Sequence, residues 1–151
     1  MNKIKAIVIG ITSAFMSWLG ILAVPVFLLV GCNLIDYFTG LFAAKYRTEN
    51  ISSYKGIRGI IKKVCMWLLI VVGAVVDSLL NYGAEYMGLE ITIPFIVATV
   101  VAVWLIVNEI ISILENMVDI GVDMPPFLMP LVKNIKNQVE EKADIIESEG
   151  K

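Results

Sequence analysis

Apolar residues run in long blocks along this chain, and polar residues gather in the short stretches between them. Four blocks stand out, at residues 6–22, 24–44, 64–82 and 91–114. The last three hold 21, 19 and 24 residues. As helices they are long enough to cross the ~30 Å hydrocarbon core of a bilayer. The first holds 17 and as a helix spans about 25 Å at ~1.5 Å per residue, just short of that core. No internal repeat or low-complexity tract interrupts the pattern. The blocks predict an all-α integral membrane protein, with a helical membrane domain over residues 1–114 and a polar region over 115–151.

After residue 114 the pattern changes. Met124, Pro125 and Pro126 break any helix. Leu128, Leu131, Val132, Ile135 and Val139 then recur at helical spacing, with Lys133, Lys136, Asn137 and Glu140 on other faces. That periodicity predicts an amphipathic helix on the inner membrane surface or against the basic loop. Residues 140–151 read as a solvated, frayed tail.

Composition agrees with the blocks. The chain is 58% hydrophobic and 17% charged, with a mean hydropathy of +0.83, too apolar for a soluble domain of this size. It contains no histidine, which removes the commonest general base and metal ligand. Cys32 and Cys65 have no CxxC spacing and read as small hydrophobes. No nucleophile motif, phosphate loop, dinucleotide fingerprint or zinc spacing occurs. The expectation is therefore no enzyme, no cofactor and no metal.

Charge assigns the sides. Residues 45–63 hold six of the twelve basic residues, Lys45, Arg47, Lys55, Arg58, Lys62 and Lys63, against the single acid Glu49. A short Lys/Arg-rich loop between apolar spans stays in the cytoplasm, where these residues meet anionic lipid headgroups rather than nucleic acid. The connection 83–90 carries Glu85 and Glu90 and no basic residue, so it is external. Lys133, Lys136 and Lys142 place the C-terminus on the cytoplasmic side of the cytoplasmic membrane. For the first segment, Lys3 and Lys5 favour a fourth span with a cytoplasmic N-terminus. Its short length and the apolar turn at 21–25 favour an interfacial helix and three spans. The charge argument carries slightly more weight. Gly10, Ser13, Ser17 and Gly20 form a small-residue stripe along this segment, suited to close helix contact in lipid.

Asp36, Asp77 and Glu109 carry the chemical information, because an ionisable group inside a bilayer is costly and marks a functional position by default. Segment 24–44 still inserts. Its eleven Val, Leu, Ile and Phe residues contribute about −0.3 to −0.6 kcal/mol each against about +3 for Asp36. The acids either snorkel or pair locally, or they face a bundle interior or a hydrated lumen. A small transporter with a substrate site at Asp36 and Glu109 is one function such acids would serve.

Three stretches resemble one family. Asp36-Tyr37-Phe38-Thr39-Gly40-Leu41-Phe42-Ala43-Ala44, the Ser- and Gly-punctuated basic run from Ser52 to Lys63, and Asn108-Glu109-Ile110-Ile111-Ser112-Ile113-Leu114-Glu115-Asn116 follow one another as in small bacteriophage holins of the lysis and toxin-secretion type, including clostridial toxin-release holins. The family's usual Pro-x-Pro after Gly-Val is replaced by Asp123-Met124-Pro125-Pro126. The resemblance implies a non-enzymatic protein that self-associates in the cytoplasmic membrane and opens lesions at a set time. A cell-wall hydrolase (endolysin) or signal-less toxin is then released. An antiholin or accessory membrane subunit is the near alternative. Asp36, Thr39, Gly40, Asp77, Asn108 and Glu109 are the candidates for pore and oligomer contacts.

Overall fold

The structure, a computed structural model, describes residues 3–47, 53–91 and 94–149. Five α-helices account for nearly all of them: α1 (Lys3–Leu19), α2 (Ala23–Tyr46), α3 (Ser53–Tyr86), α4 (Ile96–Ile120) and α5 (Leu128–Glu149). A single 3₁₀ turn, Gly20–Leu22, joins α1 to α2, with Gly20 in the left-handed region at φ 51°. Among the described residues, three helical stretches are long and apolar enough to cross a membrane, Ala23–Tyr46, Gly56–Tyr86 and Ile96–Ile120.

Helix α4 is the centre. It packs against α2, α3 and α5, whereas α2 and α3 barely touch each other. Paired residues give the directions. Leu29 shares a core cluster with Ala98, Ala102 and Leu105, and Arg47 pairs with Asp119, so α2 runs parallel to α4. Lys63 reaches Glu109 and Gly73 meets Ala98, so α3 runs antiparallel. The end of α2, the start of α3 and the end of α4 thus share one end of the bundle.

Small residues permit this. A Cβ on Gly73 would stand 2.8 Å from the Ala98 Cα; only glycine lets the α3 and α4 backbones come so close, as helices packed in lipid require. Asp77, one turn along, is 0% exposed. Its Oδ1 accepts the Val97 amide at 3.0 Å and its Oδ2 the Ala98 amide at 2.9 Å. The N-cap residue of α4, Phe95, has no side-chain acceptor. An acid from α3 therefore satisfies the free first-turn N–H groups of α4 and sits at the positive end of its dipole. At the other end Gly121 takes the left-handed C-cap at φ 94°, and Val122 N–H bonds the Met117 carbonyl, closing α4 in a Schellman-type turn.

Three expectations change. The basic run is not a loop throughout, because from Ser53 it is the start of α3; residues 48–52, Glu49 among them, lie outside the described residues, as does the Lys55 side chain. The last apolar block begins its helix at Ile96 and carries it to Ile120, since Pro94 delays the start and the polar residues after 114 keep one face apolar. Helix α5 runs to Glu149 instead of fraying from residue 140, and it packs on α4 rather than on the basic stretch. Every described side chain of α1 is exposed, and no atom lies within 4 Å of a Cβ built on Gly10 or Gly20. Among the described residues of one copy, the small-residue stripe faces no neighbour.

If the Gly73–Ala98 approach locks α3 to α4, Gly73→Leu should lower stability by about 1–3 kcal/mol through forced separation. Gly31→Ala, where a Cβ meets nothing within 4 Å, should be nearly neutral. Thermal unfolding of the detergent-solubilised protein, followed by circular dichroism, measures both.

Candidate functional site: a three-helix charge cluster

The cluster forms where α2, α3 and α4 meet. Asn33 and Asp36 stand one turn apart on α2, so both face α4. Glu109 and Asn116 lie two turns apart on α4 and face back. Lys63 enters from α3, because a helix that begins at Ser53 turns its eleventh residue inward. The Lys63 Nζ donates to Asp36 Oδ2 at 2.8 Å, to Asn33 Oδ1 at 3.3 Å and to Glu109 Oε2. Asn116 Nδ2 then donates to Asp36 Oδ1 at 3.1 Å and to Thr39 Oγ1 at 3.3 Å. The Thr39 hydroxyl in turn donates to the Ile35 carbonyl at 2.9 Å.

Side-chain exposure is 16% for Lys63, 16% for Asp36 and 7% for Glu109. This is a shielded ion triad rather than a surface pair. One ammonium faces two carboxylates, so with all three ionised the cluster carries a net negative charge. Attraction is strong at such depth, but so is the cost of desolvation, and the triad holds only while each charge keeps its partners. The Asn33 Nδ2 is buried and has no partner among the described residues. It lines a crevice of about 290 Å³ between α2 and α3, walled by Val30, Leu34, Tyr37, Ile60 and Trp67.

The structure brings Asp36, Thr39 and Glu109 together. A Cβ on Gly40 would stand 3.6 Å from Asn116 Nδ2, so Gly40 borders the cluster. Asn108 donates to the Trp104 carbonyl of its own helix and Asp77 caps α4, so neither joins it. Of the basic residues, Lys63 is the cluster's cation and Arg47 is paired with Asp119. Lys45, Arg58 and Lys62 are exposed. Among the described residues, no group of three or more Cys, Asp or Glu is arranged to hold a metal.

Comparison with known proteins fits this arrangement. The bacteriophage holin family matches residues 13–137, a range that takes in every member of the cluster. The chain belongs to the bacteriophage holin family. It is 31% identical over 135 residues to an uncharacterised protein of Clostridium perfringens, covering 89% of this chain and 92% of that one. A Listeria innocua protein is 32% identical over 129 residues, covering 85% and 84%. A probable holin of Bacillus phage phi105 is 27% identical over 117 residues, covering 78% of each. No solved structure matches.

In this family member, removing the ammonium alone leaves two shielded carboxylates facing each other. Lys63→Met should therefore cost about 3–5 kcal/mol, the range for breaking one side of a buried ion pair. The midpoint of unfolding in detergent reads it, with the exposed Lys62→Met as the neutral control.

Proposed function

We propose that this chain is a holin that acts in the cytoplasmic membrane. Copies associate there and at a set moment open lesions through which a cell-wall hydrolase or a signal-less toxin leaves. The observation that carries the reading is the family match across residues 13–137, together with three helices of spanning length. The exposed Lys45, Arg58 and Lys62 at one end of the bundle support a cytoplasmic placement of that end, against anionic headgroups. The same end holds the close of α4, so this reading also sets the α4–α5 connection inside, from where α5 turns back along α4. Helix α1, short and with its described side chains exposed, serves as a fourth span or as an interfacial anchor, and its small-residue stripe offers a face to a second copy.

The exposed apolar faces of α2 and α3, with Phe27, Phe38, Leu68 and Leu79 among them, are wide enough to meet lipid or another copy. The triad gives these helices a reason to separate all at once. Its charges are stable when fully paired or fully hydrated, and a half-opened cluster is the costly intermediate. The transporter reading is disfavoured by Lys63, which fills the space between Asp36 and Glu109 that a substrate would need.

Expressed alone, the protein should stop growth abruptly after a silent interval, and with a signal-less wall hydrolase the culture should clear. An antiholin would delay clearing by another holin, and a transporter would do neither. Asp36→Asn and Glu109→Gln should each shift the onset. Unchanged timing in both, at equal membrane levels, removes these acids from the trigger.

A further inference from the structure

The amphipathic periodicity after residue 128 does not lead along a membrane surface in this fold. Helix α5 doubles back along α4. Val132 packs in a cluster with Val107 and Leu114. Two turns on, the Trp104 indole N–H donates to Glu140 Oε1 at 2.8 Å, and the Lys136 ammonium lies 5.7 Å from the centre of the Trp104 ring. Beyond it, Val139 and Glu140 close over an apolar groove between α3 and α4 lined by Leu69, Val72, Val76, Val97 and Val101, about 400 Å³ in volume. Trp104 stands sixteen residues before the end of α4 at Ile120 (120 − 104), about 24 Å at ~1.5 Å per residue. It stands eight residues after the start at Ile96 (104 − 96), about 12 Å, so an α4 that spans a bilayer holds Glu140 and Lys136 inside the hydrocarbon, toward its outer side.

The opposite side of α5 sets the consequence. Lys133, Asn134, Asn137, Gln138 and Glu141 are all exposed and follow one another around the arc facing away from α4. Such an arc against acyl chains would leave two charges and three amides unsatisfied at hydrocarbon depth, which membrane proteins avoid. Against water it costs nothing. Resting on the holin reading, we propose that α5 lines the aqueous passage: packed on α4 at the rim of the α3–α4 groove, it presents the Lys133–Asn137–Glu141 face to a water-filled lumen. The apolar stripe of α5 and the Trp104–Glu140–Lys136 contact fix it there. Side chains on that face then decide what passes.

The test uses the full chain, with Cys32→Ser and Cys65→Ser, in phosphatidylglycerol–phosphatidylethanolamine vesicles containing a trapped dye. Once vesicles leak, a charged methanethiosulfonate reagent applied to Asn137→Cys or Glu141→Cys should slow release several-fold. The reagent on Leu68→Cys, on an exposed apolar face of α3, should not. A short bismaleimide joining Trp104→Cys to Glu140→Cys should leave release intact, because docking is the conducting arrangement. If vesicles leak but modification at both α5 positions changes nothing, or the cross-link seals them, α5 does not line the passage and the holin reading stands. Vesicles that never leak overturn both.

Discussion

One ammonium group, on Lys63, is the point at which all three membrane-length helices meet. Lipid tails are as apolar as the side chains of α2, α3 and α4, so burial alone does not drive these helices into contact in a bilayer. Close packing at Gly73 and Ala98 and the cap that Asp77 places on α4 join α3 to α4. Helix α2 meets α3 hardly at all, except through Lys63 and the carboxylate and amide of Asp36 and Asn33. Glu109 completes the triad from α4. The three-way junction is therefore polar at its heart.

This explains why a small, apolar protein tolerates charges that would be excluded from an ordinary span. On the proposed reading, a paired triad inside the bundle and a hydrated triad along a lumen are both acceptable states, and the passage between them is unfavourable. A membrane protein that must stay harmless and then act abruptly benefits from such a two-state element. Family membership supports a holin-like role for the chain, and on the proposed reading the triad is the two-state element.

Much of this was legible in the linear pattern. The spans of α2, α3 and α4 follow from block length, and Asp36 and Glu109 stand out because an acid among valines and leucines needs a reason. Lys63 was hidden. At the edge of a basic run it looks like one more loop charge, and only the start of α3 at Ser53 rotates it inward. Asn33 and Asn116 left a fainter signal. Asn33 with Asp36 at i, i+3, and Glu109 with Asn116 at i, i+7, mark one polar face on each of two helices. Asp77 was read as a membrane charge, yet it is a cap, which requires knowing that the start of α4 lies beside α3. The apolar stripe of α5 was visible, but periodicity names a face without naming what covers it.

The central claim is that Lys63 and Glu109 stabilise each other across α3 and α4, and a double-mutant cycle measures this most directly. Unfolding free energies of the parent, Lys63→Met, Glu109→Gln and the double variant in one detergent give the coupling between the two side chains. The account predicts that the double variant is far less damaged than the sum of the singles, by up to about 3 kcal/mol, the upper range for side chains in one network. Losses that simply add would contradict it.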